Sequence, residues 1–297
     1  MMAIKKRGDR PVASLPLRLP FNPHAMPGRS PDIASTRVFT GPTSLDLQRG
    51  EDWAWIGLAS EDGLNRLRVD LLDALDLLFI ELRWSGVRRL ALSDAGWMKT
   101  WLPGFARTPR GEHEGGVPTS ASSRAGGCAS SRPVGAERAK GAGGPPRSWL
   151  DQGGNFCAGA DLNEVCRLNA CTAHDFARRG QRVLEHMLWP GWRSLTLISG
   201  AAMGGGCDLA LSGQERWGVE LPGRGALKLA HPAASLGILT GFGGTVRLVE
   251  ILGSTGAGRL FQGLERWDIS QAMEAGAIQR KLKPEEARGA VEGFLVP

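Results

Sequence analysis

The stretch of sequence that decides the fold is residues 200–211, which read GAAMGGGCDLAL. It follows an apolar segment at 195–198 that is typical of a short strand, and the residues from Cys207 onward are typical of a helix. A strand that ends in three glycines and opens a helix presents unpaired backbone N–H groups to a ligand. Taken alone, this turn fits either an anion cradle or a plain strand-to-helix connection. It is not a Walker motif, because no Gly-Lys-Ser/Thr follows.

Two further small-residue turns make the pattern more specific. Residues 155–164 read NFCAGADLNE, and residues 236–245 read LGILTGFGGT. The first of these also exposes backbone, and the second leads into a helix. Two turns that present amides, followed by a third glycine-rich turn, indicate a site built largely from main chain.

The chain before these turns has the pattern of a βαβ unit. Residues 53–59 and 87–92 are predicted strands, and residues 67–82 carry apolar side chains at helical spacing. Such a unit implies a parallel pair of strands joined by a crossover helix. Further helices are predicted at 173–188, 246–252 and 270–275.

Composition divides the chain into ordered and irregular parts. Residues 1–45 are rich in proline and arginine and are predicted to be an irregular tail. Residues 97–150 are dominated by small and polar residues and are predicted to be a disordered insertion. The predicted core is therefore 46–280, interrupted by the insertion, with a short C-terminal remnant at 281–297.

Bulk properties exclude several classes of function. The net charge is +6 over 297 residues, but the excess lies mainly in the irregular parts and forms no basic stripe interleaved with aromatics, so a nucleic-acid partner is not expected. No apolar run approaches the length of a membrane span. The five cysteines form no C-x-x-C pair, which predicts reduced thiols in a cytoplasmic protein without a metal site.

The turns at 155–164 and 200–211, together with residues 231–248, resemble motifs of the crotonase (enoyl-CoA hydratase/isomerase) superfamily. Asn65-Arg-Leu67 stands where that family has Asn-Ala-Leu. The resemblance covers about 52–96 and 153–280. It implies an α/β fold, a crotonase-like spiral of ββα units, with a helical C-terminal part that is truncated by comparison. It also implies a homotrimer or a dimer of trimers.

The resemblance also implies a substrate and a site. The substrate is an acyl-CoA thioester, and no resident cofactor is expected. The thioester oxygen accepts hydrogen bonds from the backbone N–H groups of Ala160 and Gly205, which form an oxyanion hole. The residues expected to contact substrate are Ala160, Asp161, Leu162, Asn163, Gly204 and Gly205.

This sequence has fewer of the carboxylates that the family uses as acids and bases. Asp208 occupies the first glutamate position and is expected to face the pocket as the catalytic carboxylate. Ala233 occupies the second glutamate position, and Gly241 stands where some members have an aspartate. His231 is the nearest other titratable residue, and a packing or surface role is favoured for it.

The predicted function is an enzyme of the enoyl-CoA hydratase/isomerase type that stabilises a thioester enolate. Isomerisation with one base, decarboxylation and hydrolysis stay open as reactions. The alternative is a catalytically silent family member that binds acyl-CoA or serves as a subunit of a larger assembly. A nucleotide-binding module is disfavoured, because the G-x-G-x-x-G spacing is missing.

Overall fold

A computed structural model describes residues 36–95, 154–220, 226–262 and 265–296. The insertion predicted at 97–150 lies outside these residues, as do residues 1–35 of the predicted tail. The strands are β1 (Thr36–Phe39), β2 (Thr43–Arg49), β3 (Trp53–Ser60), β4 (Arg89–Asp94), β5 (Arg193–Ser199), β6 (Ala201–Met203), β7 (Glu215–Val219), β8 (Lys228–Ala230) and β9 (Arg280–Leu282). The helices are α1 (Val69–Trp84), α2 (Leu162–Val165), α3 (Ala170–Met187), α4 (Gly205–Ala210), α5 (Gly244–Phe261), α6 (Ile269–Glu274) and α7 (Pro284–Leu295), and a 3₁₀ helix covers Pro232–Leu236.

The main sheet has seven strands in the order β1-β2-β3-β4-β5-β7-β9. The first two pairings are antiparallel, and the remaining four are parallel. Strand β3, helix α1 and strand β4 form the βαβ unit that the sequence predicts. The α/β class is therefore confirmed, and a separate parallel pair, β6-β8, stands outside the sheet.

Helix α1 is held by an apolar stripe that packs into the core. Leu71, Leu75 and Leu78, spaced three and four residues apart, have no exposed surface. The helix ends just before Gly86, whose φ of 83° is a conformation that glycine adopts without a Cβ penalty. Its polar side faces α3, where Asp76 pairs with His186 at 2.8 Å.

Residues 36–45 correct the prediction of an irregular tail, because they contribute β1 and the start of β2. The two strands pair in antiparallel register, and the directly opposed residues Arg37 and Asp46 form an ion pair of 2.8 Å. Strand β1 has only four residues, too few to show a periodicity, and its pairing depends on a partner strand.

The stretch predicted as a short C-terminal remnant contains helix α7. Its buried side packs on the sheet, where Phe294 lies edge-to-face on Trp217 with ring centroids 5.7 Å apart. The other apolar residues of this layer include Trp53, Trp55, Leu195, Leu197, Val219, Leu282, Ala287, Val291 and Leu295. No helix in the described ranges is long and apolar enough to cross a membrane.

Phe294→Ala is expected to lower the free energy of unfolding by about 3 kcal/mol, because it removes a buried ring and leaves a cavity against Trp217. Urea unfolding followed by tryptophan fluorescence measures the change. Gly293→Ala is the matched control on the same helix. No atom lies within 4 Å of its added Cβ, so we expect it to be neutral or stabilising by about 0.5 kcal/mol. Equal stabilities for the two variants would contradict the packing of α7 on the sheet.

Candidate functional site

The site is organised around residues 155–161, which run between two other backbone segments. On one side, Leu67 donates its N–H to the carbonyl of Gly159 (2.8 Å) and accepts from the N–H of Asp161 (3.0 Å). This pairing uses the carbonyl of Gly159 and the N–H of Asp161. The N–H of Ala160, which lies between them, takes no part in it.

Asn65 links residues 155–161 to the segment that contains Leu67. Its backbone is left-handed (φ 47°), a conformation that asparagine adopts more readily than most residues. Its side-chain amide accepts from the Ser60 N–H (2.9 Å) and donates to the carbonyls of Asn155 (2.9 Å) and Phe156 (3.2 Å). The asparagine of the Asn-Arg-Leu motif therefore has a structural role, because its hydrogen bonds hold the two segments together.

On the other side, the segment contacts strand β6. Cys157 donates to Ala201 O (3.1 Å) and accepts from Met203 N (2.9 Å). Gly159 has φ 91°, and a Cβ built on it would collide with Met203 O and lie 3.4 Å from Gly205 N. The two amide-presenting turns are thus in direct contact, and only glycine allows this approach.

The N–H groups of Ala160 and Gly205 donate to no acceptor among the described residues. Gly205 is the first residue of α4, where the helix offers no internal acceptor for the N–H. Both residues line one cavity of about 550 Å³. Its wall is mostly apolar and includes Leu162, Val165, Leu168, Phe176, Met203, Leu236, Ile238, Leu239 and Phe242.

The other predicted contact residues divide into two groups. Leu162 and Gly204 line the cavity beside the two amides. Asp161 instead caps α2 by accepting from the Asn163 N–H (2.9 Å), and it pairs with Arg68 at 2.7 Å. Burial alone would raise the pKa of Asp161, but these two partners hold it below its usual value. The Asp161 carboxylate therefore shapes the turn.

Asp208 does not take the position that the sequence predicts. Its side chain has no exposed surface, one of its oxygens accepts from the Thr240 hydroxyl, and a Cβ on Gly244 would collide with it. The carboxylate is therefore fully buried, and Asp208 is not among the residues that line the cavity. Because aspartate is one methylene shorter than glutamate, the carboxylate of Asp208 stays between helices α4 and α5.

His231 lines the cavity, whereas its sequence context favours a packing or surface role. Its Nε2 lies 3.2 Å from Asp208 Oδ1, an ion-pair separation without the alignment of a hydrogen bond. Burial on its own lowers the pKa of His231, but Cys207 and Asp208 beside the ring raise it to about 10. The ring also packs on Phe261, with centroids 4.9 Å apart.

Strand pairing explains why His231 reaches the site. Strands β6 and β8 are parallel, and Met203 is paired with Ala230. The next residues, Gly204 and His231, therefore emerge side by side, and Gly204 donates its N–H to Ala230 O (2.9 Å). A histidine directly after a short apolar strand is the sequence signal that could have identified this residue.

Gly159→Ala tests the close approach of the two turns. A left-handed alanine is strained by about 1 kcal/mol, and here the added Cβ would also displace the Met203 carbonyl. We expect a loss of about 3 kcal/mol in unfolding free energy in a urea titration. Gly86→Ala is the control, because Gly86 also has positive φ but no atom within 4 Å of an added Cβ. An equal loss in both variants would show that the turns are not in contact.

Comparison with known proteins gives matches to one family. Residues 151–288 match the family described as enoyl-CoA hydratase/isomerase. The crotonyl-CoA hydratase of Syntrophomonas wolfei is 33% identical over 135 residues, 44% of this chain and 49% of that protein. An ethylmalonyl-CoA decarboxylase from Mus musculus is 31% identical over 138 residues, 46% of this chain and 41% of that protein. The chain spans about half the length of the curated relatives it matches.

The fold also has solved counterparts. The crystal structure of an enoyl-CoA hydratase from Thermoplasma volcanium aligns with a TM-score of 0.59 at 18% identity, covering 85% of this chain and 77% of that chain. At this identity the likeness concerns the fold alone. It confirms the crotonase-like architecture expected from the motifs.

Proposed function

This chain belongs to the crotonase superfamily, and on that premise we propose that it binds an acyl-CoA thioester and stabilises its enolate at Ala160 and Gly205. The observation that carries the proposal is the pair of unpaired N–H groups on the wall of one apolar cavity. Two donors placed in this way form an oxyanion hole for a carbonyl oxygen that gains negative charge.

The cavity supports an acyl group as the ligand. Its volume of about 550 Å³ falls in the range typical of small-molecule sites, and its wall is mostly aliphatic and aromatic. Both amides lie on half-exposed residues of the cavity wall, so a ligand oxygen can accept a hydrogen bond from each of them. In the proposal Leu162 and Gly204 contact the substrate, and Asp161 and Asn163 hold the turn that carries Ala160.

The proposed activity is of the enoyl-CoA hydratase/isomerase type, with the thioester as substrate and no resident cofactor. The related proteins named above include a hydratase and a decarboxylase, and another relative is an isomerase/hydratase. These reactions share an enolate next to a thioester. A homotrimer or dimer of trimers and a cytoplasmic location belong to the same proposal and stay predictions.

Gly205→Pro deletes one of the two donors while keeping a residue type that fits the first position of a helix. The probe is acetoacetyl-CoA, whose enolate absorbs in the near ultraviolet. We expect the wild-type chain to raise the enolate fraction on binding, and the proline variant to lose roughly 10²-fold of this preference for the enolate.

Gly205→Ala is the matched control. Its added Cβ also approaches the Phe242 ring, at 2.9 Å, but the N–H stays in place. It is expected to keep most of the enolate signal. Absence of a signal in the wild-type chain, or equal signals in the proline and alanine variants, would refute the oxyanion hole and favour a silent family member.

A further inference from the structure

Helix α2 follows the Ala160 donor directly, since its N-cap residue is Asp161. The helix is a single turn of four residues, and all four are exposed or only partly buried. A helix of this length is not stable by itself, and here little apolar burial supports it. Polar contacts must therefore hold α2 in place beside Ala160.

The side chain of Arg68 makes these polar contacts. Its Nη1 lies 2.7 Å from Asp161 Oδ2, and its Nη2 lies 3.0 Å from Glu164 Oε1. The side chain of Arg68 is 28% exposed and that of Asp161 is 10% exposed, so solvent screens this pair less than an open surface pair. One planar guanidinium thus joins the N-cap of α2 to its first turn.

The contact also serves helix α1. Arg68 is the N-cap residue of α1, and its side chain caps none of the N–H groups of that helix within the described residues. Glu164 replaces it, because its Oε2 accepts from the N–H of Val69 (3.1 Å). Asp161 in turn caps α2 at the N–H of Asn163 (2.9 Å). The first turns of α1 and α2 are therefore tied together by their capping residues.

The same segment holds Asp161 by its backbone. Leu67, the residue before Arg68, accepts the N–H of Asp161 (3.0 Å). The main chain and the side chain of Asp161 are thus bound to two consecutive residues. The Gly205 donor is supported differently, because every later residue of α4 is buried. The two donors of the site therefore depend on different interactions.

We propose that Arg68 is a positioning residue of the oxyanion hole, which fixes the direction of the Ala160 N–H by holding Asp161 and Glu164. Arg68 acts through Asp161 and does not touch the substrate. A hydrogen bond weakens as its angle at the hydrogen falls toward about 120°, so a small rotation of the Ala160 peptide matters. This inference rests on the proposed function, because it needs an enolate oxygen bound at Ala160.

Local charge separates this role from direct binding of a phosphorylated ligand. An arginine close to such a ligand often binds the phosphate itself. Here the carboxylates of Asp70, Asp161 and Glu164 all lie within 3.6 Å of the Arg68 guanidinium. Three negative charges around one positive charge repel a phosphate. The guanidinium of Arg68 is therefore occupied by the protein.

The test measures which fraction of the acetoacetyl-CoA bound to the full chain is enolate, with the bound amount determined separately. Because this fraction compares two bound forms, it does not depend on how much of the protein is folded. Arg68→Gln is expected to lower the ratio of enolate to keto form roughly 10-fold, because the donor is no longer held in direction. A role in stability alone would leave the ratio unchanged.

Arg66→Gln is the matched control. Arg66 lies two residues away and pairs with Asp62 at an exposed position, so its loss should not alter the ratio.

A second variant, Glu164→Gln, identifies the contact through which Arg68 acts. Glutamine keeps an acceptor for the Val69 N–H but loses the ion pair with Arg68. We expect it to lower the ratio severalfold. Residues that act as one unit show effects that do not add. The double variant of Arg68→Gln and Glu164→Gln should therefore lose no more than Arg68→Gln alone.

The outcomes separate this inference from the proposed function. A wild-type ratio in Arg68→Gln, an equal loss in Arg66→Gln, or losses that multiply in the double variant would overturn the role of Arg68 and leave the oxyanion hole intact. If wild type shows no enolate signal, the proposed function itself fails. Where Arg68→Gln does not fold, an unchanged ratio in Glu164→Gln overturns the inference.

Discussion

The structure depends on the backbone pairing that holds residues 155–161 between the segment around Leu67 and strand β6. Because paired segments use alternate N–H groups, the bonds made on either side of Ala160 leave its own N–H unused. The absence of a side chain at Gly159 lets this turn touch the turn that carries Gly205. The two N–H groups are therefore positioned by main-chain pairing and not by the side chains at 233 and 241.

This constraint makes the two N–H groups independent of the side chains at the family's acid–base positions. Ala233 and Gly241 carry no carboxylate, yet the pairing that creates the donors does not involve either residue. The register of β6 against β8 places His231 on the cavity wall, and Asp208 lies beneath it. Among the described residues that line the cavity, His231 is therefore the titratable side chain.

Local patterns were enough for the elements that lie within one run of sequence. The βαβ unit was predicted because its strands are apolar and its helix repeats at helical spacing. The helix predicted at 246–252 extends to Phe261, and the prediction stopped where Gly253 interrupts it with φ 69°. Strand β1 and the packing of helix α7 on the sheet were missed, because short elements depend on distant partners.

The sequence by itself determined that the two turns can touch, since the glycine at 159 permits a left-handed backbone and a close approach to Met203. It also determined which carboxylates are missing. Tertiary structure alone decided that Asp208 is buried outside the cavity lining and that His231 belongs to it. The physical reason is that a side chain's direction into a cavity follows from strand register and helix packing between segments far apart in the chain, and neither leaves a local pattern in the sequence.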